Sequence, residues 1–474
     1  MELIAVVKRD CETCQLVVPV LSTLASQTDL TVYSQDDPDF PEEIGGAGDD
    51  TSLEHSYRHN IEIVPTLIRL DGGREQARAE GWNRTDWETV SCTTRLGAAL
   101  PPSQPGCGSR TQEPGMPERL ALRFGVSDFA ARRIDVDEFD DPLEIAYDRG
   151  WSDGLPIVPP TPLRVARMLA GTDRDPNETV GLIPPNLIEC SVEKVAINAV
   201  MAGCRPEYMP VVLGCVAATL RPEFSMHGLL ATLWFSGPVF IVNGPVAKRI
   251  GMNARSNALG QGNRANSTIG RAFQLLIRNV GGGIPGEIDR SVLGNPGKVG
   301  FCFSEDETDP AWTPLNVARG ALPGTSSVTA FHGDGVQAVG AQASRSPEEL
   351  TRSLAMALWA VGHPKLSRFS NAILAISPDH WNIFKTEGWN RADVESGLKE
   401  ALKRPRAEIV RGAKGVAEGV EPGDPEELID KFHDDGLLIV RAGGPGGLLS
   451  AVIGGWSAQR NPEQVQIVTE EIRG

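Results

Sequence analysis

Short apolar runs alternate with segments of helical spacing along most of this chain of 474 residues. An apolar run at residues 3–7 precedes a segment at residues 11–26 whose apolar side chains recur every three or four positions. Farther along, the apolar run at residues 238–243 precedes a similar helical pattern at residues 264–280. This alternation of strands and helices predicts an α/β protein with a mixed or partly parallel sheet.

One segment interrupts the alternation. Residues 98–116 are rich in proline, glycine, serine and glutamine and show no apolar period, so we expect a linker there. It would separate an N-terminal domain, residues 1–97, from a larger α/β catalytic domain, residues 117–474, which forms one unit or two lobes. Charge is divided similarly, because residues 1–115 carry a net charge of −10 out of −17. No internal repeat of about 20 to 50 residues is visible.

Composition excludes several classes of protein. The 51 glycines and 35 prolines are too many for a helical bundle or a coiled coil. The excess of 62 acidic over 45 basic residues argues against a nucleic-acid partner, since phosphates need a basic surface. No apolar stretch reaches the roughly 18 residues of a membrane helix, and eight cysteines are too few for a disulfide scaffold. We expect a cytoplasmic homo-oligomer with mostly reduced thiols and no membrane partner.

Two cysteines, Cys11 and Cys14, open the first predicted helix directly after a strand. The helix dipole and the free N–H groups at a helix N-terminus stabilise a thiolate there. A second thiol three residues on can resolve a mixed disulfide. The spacing therefore predicts thiol chemistry at this helix start, although Asp10 and Glu12 are expected to disfavour the thiolate.

The first 97 residues resemble the thioredoxin/glutaredoxin superfamily. The resemblance is carried by Cys11-Glu12-Thr13-Cys14 and by Val64-Pro65-Thr66, within a predicted order of β-α-β, an acidic loop with a short helix, and β-β-α. In that family a cis-proline lies against the two cysteines, and Pro65 matches its position. The resemblance implies a thioredoxin-like fold with Cys11 as nucleophile, Cys14 as resolving thiol and a redox-active Cys11–Cys14 disulfide.

Two other interpretations of the cysteine pair stay open. Two cysteines at this spacing are also half of a zinc site, which His55 and His59, four residues apart, would complete as a Cys2His2 set. Alternatively, the domain is an inactive relative of the superfamily and serves only for docking.

The large domain contains four polar or glycine-rich clusters, at residues 151–160, 193–208, 256–268 and 442–447. Each lies at a predicted strand or helix end, where open α/β proteins place ligands. Free backbone N–H groups in the last two clusters would hold an anion. Asp153 in the first cluster is available as an acid or a ligand.

Cys204 lies in a turn between two predicted helices and is followed by Arg205. An adjacent cation and the start of the next helix are expected to lower the pKa of this thiol, which makes Cys204 a candidate nucleophile. His227 is its candidate base or metal ligand. Cys190 and Cys215 lie among apolar residues and are predicted to be structural.

Residues 140–470 also resemble a poorly characterised bacterial family in the strings DGLPIVPPT, VEKVAINAVMAGCRPEYMPVVL, SNALGQGNRANSTIGRA and AGGPGG. The resemblance implies no established activity. It does imply a partner, because such proteins accompany a small thiol or selenol protein with a UGSC motif, similar to reductases that cleave C–N bonds with a selenol. This chain has no UGSC string, so that chemistry would belong to the partner.

Our leading hypothesis is a thiol-dependent oxidoreductase. The N-terminal domain would supply or relay reducing equivalents to Cys204, which would act on a small anionic substrate by reductive C–X cleavage or by thiol-assisted elimination. Proton transfer is assigned to Glu193, Glu207 and His227. Substrate binding is assigned to Asn198, Arg205, Asn257, Arg264, Asn266 and Arg271.

Two alternatives belong to other classes. One is a metal-dependent lyase or hydrolase with Cys204, His227 and a carboxylate as ligands, in which the N-terminal domain is a redox switch or metal donor. The other is a non-enzymatic assembly protein whose acidic N-terminal domain docks a basic partner.

Overall fold

The computed structural model describes residues 2–45, 47–125, 129–137, 140–456 and 467–473. The chain divides into two compact units, Met1–Phe129 and Ala130–Gly474. Helices and mixed sheets occur in both units, which confirms the α/β class. Within the described ranges, no helix is both long enough and apolar enough to span a bilayer.

The first unit is built on a five-stranded sheet of order β3-β2-β1-β5-β6. In this sheet β2 runs parallel to β1, whereas β5 is antiparallel to both β1 and β6. Its strands are β1 (Glu2–Val7), β2 (Leu30–Ser34), β3 (Gly48–Asp49), β4 (Ile63–Val64), β5 (Thr66–Asp71), β6 (Arg74–Glu80), β7 (Trp82–Asn83), β8 (Ser103–Gln104) and β9 (Cys107–Gly108). Its helices are α1 (Glu12–Gln27), α2 (Glu54–Arg58), α3 (Arg84–Ser91) and α4 (Met116–Leu120).

The core of the first unit follows from its apolar spacing. Every residue from Leu3 to Val7 is buried, because β1 is the central strand of the sheet. Helix α1 buries Val17, Leu21 and Leu24 in the same core, at the spacing of one helical face. The chain between β1 and α1 is short, so Cys11 stands directly at the start of the helix.

Residues 98–116 are part of the first unit, which corrects the predicted linker and both predicted domain boundaries. Within this segment β8 pairs with β7, and β9 pairs with β4. Two hydrogen bonds add to the pairing, from Trp82 Nε1 to the Pro101 carbonyl and from Thr13 Oγ1 to the Pro105 carbonyl, both at 2.7 Å. The segment is therefore fixed to the first unit by strand pairing and hydrogen bonds.

The second unit contains most of the chain. Its strands are β10 (Thr179–Ile183), β11 (Ile188–Ser191), β12 (Gly237–Asn243), β13 (Phe301–Ser304), β14 (Ser327–Gly333), β15 (Val336–Gly340), β16 (Ser370–Ile376), β17 (Arg404–Pro405), β18 (Leu428–Ile429), β19 (Leu437–Arg441), β20 (Leu449–Trp456) and β21 (Val468–Glu471). Its helices are α5 (Pro142–Asp148), α6 (Pro162–Leu169), α7 (Val192–Ala202), α8 (Met209–Leu220), α9 (Met226–Ala231), α10 (Pro245–Arg249), α11 (Arg264–Leu276), α12 (Leu315–Ala318), α13 (Pro347–Trp359), α14 (Pro378–Thr386), α15 (Arg391–Ala401) and α16 (Arg406–Ile409).

Two four-stranded sheets form the centre of the second unit, in the orders β13-β12-β14-β21 and β15-β20-β16-β19. They share one core, in which Ile241 and Phe303 of the first sheet pack with Ile373 and Val440 of the second. Helices α8 and α11 cover the other face of the first sheet, and helices α13, α14 and α15 cover that of the second. The unit therefore has four layers, with helices on both outer sides.

The two sheets share one strand pattern. Each has a parallel pair, β12 with β13 and β16 with β19, and a third strand, β14 or β20, antiparallel to the first of the pair. The edge strands are exchanged, because β15 follows β14 in the chain but joins the second sheet, whereas β21 follows β20 but joins the first. The unit is thus a duplicated pattern far longer than the repeats sought in the sequence.

Candidate active site

Three cysteines of the first unit meet at the start of α1, and we call Cys11, Cys14 and Cys107 the three-cysteine cluster. The Cys11 and Cys107 sulfurs lie 2.8 Å apart. The Cys14 N–H donates to Cys11 Sγ at 3.4 Å, because Cys11 is the N-cap residue of α1. Strand β4 also borders the cluster, since the Val64 carbonyl oxygen lies 3.6 Å from Cys11 Sγ and the Val64–Pro65 peptide bond is cis.

Cys11 is the residue of this cluster that is most readily deprotonated to a thiolate. Hydrogen bonding from the Cys14 thiol, followed by that from Cys107 and from the N–H groups of Cys14 and Thr13, lowers the pKa of Cys11 to about 5, against the opposing effect of burial. Burial is the main reason that the pKa values of Cys14 and Cys107 are raised. The expected effect of Asp10 and Glu12 was wrong, because both are exposed to water while the sulfur faces donors.

The three thiols differ in exposure. Cys14 is fully buried and Cys11 is 4% exposed, whereas Cys107 is partly exposed. Cys107 was missed at the sequence level, because it lies in the segment predicted as a linker. The only signal for it was a cysteine between two glycines, Gly106-Cys107-Gly108.

A cavity of about 500 Å³ runs along α1. Its lining mixes the apolar Val18 and Phe40 with the polar or charged Arg9, Gln15 and Glu43. None of the three cysteines is among the residues that line this cavity.

The predicted Cys2His2 set is not assembled. The His55 ring instead stacks on Tyr33, with 3.9 Å between the ring centroids. Within the described ranges, no three His, Cys, Asp or Glu side chains are grouped as metal ligands, and this includes the surroundings of Cys204 and His227.

Cys204 has the opposite environment from Cys11. Its side chain is buried, and its sulfur donates to the Thr268 carbonyl of α11 at 3.4 Å. Burial raises the pKa of Cys204 to about 12 and outweighs the positive charges of Arg264 and Arg271. The predicted lowering of this pKa was therefore wrong, because the sulfur points under α11 and the Arg205 side chain points into solvent.

The residues predicted to transfer protons do not surround Cys204. Glu193 is buried and accepts hydrogen bonds from the Ala130 and Ala131 N–H groups at 3.0 and 3.2 Å. Glu207 and His227 are exposed, and no hydrogen bond among the described residues joins either to Cys204. Glu193 thus holds the backbone at the start of the second unit.

Three residues predicted to bind substrate are engaged in structural contacts. Asn198 in α7 donates to the Lys194 carbonyl and accepts from Asn279 Nδ2, both at 2.9 Å. Arg264 Nε donates to the Gly203 carbonyl at 2.9 Å. Arg271 forms two hydrogen bonds of 2.8 Å to Asp153, and both side chains are mostly buried. The Asp153–Arg271 pair fastens residues 151–160 to α11.

Two of the glycine-rich clusters come together. The Gly443 N–H donates to the Ala254 carbonyl at 2.9 Å, and a side chain at Gly444 would collide with Ser256 Oγ. The Gly446 N–H also donates to Asp379 Oδ2 at 2.6 Å. Residues 442–447 follow β19, and residues 253–263 lie between α10 and α11; we call the two loops together the glycine-loop surface.

Asparagines shape this surface. Buried Asn266 accepts from the Asn253 N–H at 3.0 Å and donates to the Asn253 carbonyl at 2.8 Å. Asn257 has a φ of +62° and donates to the Gln261 carbonyl at 2.6 Å. Asn257 and Asn266, which were predicted to bind substrate, therefore stabilise the conformation of the loop.

A buried acidic segment borders the glycine-loop surface and was not predicted. Glu305 accepts from Trp312 Nε1 at 2.8 Å and from the Leu315 N–H at 2.6 Å, and burial raises its pKa. Asp306 pairs with Arg441 at 2.9 Å, immediately before the glycines of residues 442–447. The signal for this cluster was the run of acidic residues at 305–309 directly after an apolar strand.

No protein-family model, curated protein or solved structure matches this chain.

Proposed function

We propose that the first unit is a thiol–disulfide oxidoreductase of thioredoxin-like fold, with Cys11 as nucleophile and Cys14 as resolving thiol. The observation that carries the proposal is the Cys11 sulfur, which caps α1, has a pKa of about 5 and lies beside a buried second thiol. The strand order β3-β2-β1-β5-β6, in which only β5 runs opposite to the other four strands, supports the family resemblance.

The exchange proceeds in two steps. The Cys11 thiolate attacks one sulfur of a substrate disulfide, forms a mixed disulfide and releases the other sulfur as a thiolate that takes up a proton. Cys14 then loses its proton and attacks Cys11 Sγ, which releases the second substrate thiol and leaves a Cys11–Cys14 disulfide. The substrate disulfide gains two electrons, and the two cysteines lose them.

The different pKa values of the two thiols set the order of these steps. The Cys11 charge contributes to the raised pKa of Cys14, after the larger effect of burial. That contribution vanishes once Cys11 is in a mixed disulfide, so the pKa of Cys14 falls when its thiolate is needed. Cys14 is therefore held protonated until Cys11 has reacted.

For the second unit, the Gly443 and Gly446 N–H groups of the glycine-loop surface donate to the Ala254 carbonyl and to Asp379 Oδ2, so they hold the two loops and do not support a small-anion site there. A relay of reducing equivalents to Cys204 receives no support from its surroundings, because the sulfur is buried and protonated at neutral pH.

The test is the reduction of insulin disulfides by the full chain, with dithiothreitol as the final reductant. We expect Cys11→Ser to abolish the catalysed rate and Cys14→Ser to reduce it. Cys92→Ser is the matched control, because Cys92 is exposed and lies outside the cluster. Full activity of the Cys11→Ser variant would show that the proposal is wrong.

A further inference from the structure

We propose that Cys107 is a second resolving thiol, which attacks the mixed disulfide on Cys11 in competition with Cys14 and forms a Cys11–Cys107 disulfide. This inference rests on the proposed function of Cys11 as nucleophile. It gives the site three exchangeable thiols, two of them able to release the substrate.

The Cys11 and Cys107 sulfurs are already close to bonding distance. The Cys11 and Cys107 sulfurs are 2.8 Å apart, although 96 positions separate them in the chain. A disulfide bond is about 2.05 Å long, so a closure of less than about 1 Å would form it. In the register of β4 and β9, Cys107 lies opposite Val64, whose carbonyl also contacts Cys11 Sγ.

The backbone around Cys107 is built for this approach. At Gly106 a Cβ atom would collide with Ile63 Cγ2 and lie 2.7 Å from the Val64 carbonyl oxygen, so only glycine lets the segment come this close. On the other side, the Ser109 N–H donates to the Glu62 carbonyl at 2.9 Å, and Arg110 Nη1 donates to the Gln35 carbonyl at 2.8 Å. Cys107 is therefore held in place on both sides.

Exposure and charge distinguish Cys107 from Cys14. Cys14 is completely buried, whereas Cys107 is partly exposed and lies on the solvent side of the cluster. Lys8 Nζ donates to the Gly108 carbonyl at 3.0 Å, so a positive charge lies beside the strand that carries Cys107. This thiol can thus reach a mixed disulfide without the opening of the core.

The step balances. The Cys107 thiolate attacks Cys11 Sγ, the bond between Cys11 and the substrate sulfur breaks, and the released thiolate takes up the proton that Cys107 lost. The substrate disulfide is reduced by two electrons, which come from Cys11 and Cys107. Cys14 can then attack Cys11 Sγ in the new disulfide, which forms Cys11–Cys14 and frees Cys107 without further oxidation.

The experiment uses the reduced full chain carrying Cys14→Ser, treated with oxidised glutathione and analysed by peptide mass mapping. We expect a Cys11–Cys107 disulfide and the release of two glutathione molecules per chain. The variant with Cys14→Ser and Cys107→Ser should stop at a stable glutathione adduct on Cys11. The matched control with Cys14→Ser and Cys92→Ser should still form Cys11–Cys107.

The outcomes separate the two proposals. An equally stable adduct with and without Cys107 would overturn the inference and leave the proposed function intact. No adduct at Cys11 in any variant would overturn both. A further measurement leaves the buried Cys14 unchanged: partial oxidation of the wild-type chain should give some Cys11–Cys107 beside Cys11–Cys14, and Cys11–Cys14 alone would contradict the inference.

Discussion

The direction in which each sulfur points explains why the pKa of Cys11 is lowered and that of Cys204 is raised. Both precede a helix and lie near an arginine in the sequence. Cys11 Sγ accepts from a helix N–H, whereas Cys204 Sγ is buried against the Thr268 carbonyl. Donors stabilise a thiolate, while an acceptor and an apolar surrounding stabilise the thiol. Sequence alone predicted that both cysteines lie at helix starts, but the direction of each sulfur depends on distant residues.

The lowered pKa of Cys11 predicts an unusual pH dependence of alkylation. Because the thiolate is the reactive form, the rate for Cys11 should be half-maximal near pH 5 and nearly constant above about pH 6. Iodoacetamide labelling of the reduced chain, mapped at Cys11 by mass spectrometry from pH 4 to pH 9, measures this. Free glutathione is the reference. A Cys11 rate that climbs between pH 8 and pH 9 as that of glutathione does would contradict the prediction.

Replacement of Cys204 by serine should affect stability and not thiol exchange. The serine hydroxyl would enter a buried site, so we expect a loss of about 1–2 kcal/mol in the free energy of unfolding of the second unit. The rate of insulin reduction should be unchanged. Urea unfolding followed by tryptophan fluorescence measures the first quantity, with Cys92→Ser as the exposed control. A large loss of exchange activity would instead favour a relay through Cys204.

At the scale of elements, the local apolar pattern predicted which helices and strands form but not which strands pair. The predicted strand at residues 3–7 lies within β1, and the predicted helix at residues 264–280 begins, like α11, at Arg264. The first is a continuous apolar run, and the second has a strong helical period of apolar residues. The segment at residues 98–116 has none, and its short strands exist because β4 and β7 lie within reach. Pairing between segments that are far apart in the chain produces no local apolar periodicity from which it could be predicted.

Gly106 provides a test of this close packing. The substitution Gly106→Ala should push the segment away from β4, because its Cβ would collide with Ile63. We expect a destabilisation of about 1–3 kcal/mol. Cys11 would also lose the donor Cys107, so its half-maximal alkylation should move to higher pH, and no Cys11–Cys107 disulfide should form.

Gly108→Ala is the matched control for Gly106→Ala. It lies two residues farther along the same segment, and nothing is within 4 Å of the position that its Cβ would occupy. Its alkylation profile and urea midpoint should equal those of the wild type. If the two variants behave alike, the approach of Cys107 to Cys11 does not depend on the space at Gly106.

At the scale of the whole molecule, the exchanged edge strands bind the two halves of the second unit together. β21 completes the first sheet beside β14, although it follows the last strand of the second sheet in the chain. Arg319 Nε also donates to Thr469 Oγ1 at 2.8 Å. The shared core of both sheets means that neither half can bury its inner face alone. We therefore expect the two sheets to unfold as one cooperative unit.

Deletion of residues 467–474 tests this cooperativity. It removes β21, exposes the edge of β14 and leaves the pairing of β16 with β19 and β20 untouched. If the sheets unfold together, amide exchange protection should fall by about tenfold or more in β12 and by the same factor in β16, because both depend on one opening reaction. Hydrogen–deuterium exchange of peptides covering these strands measures both factors.

Glu470→Ala is the control that keeps β21 and removes only its ion pair with the exposed Arg221, and it should change protection little. A loss confined to β12 would mean that the sheets open independently and that the exchange of strands does not couple them.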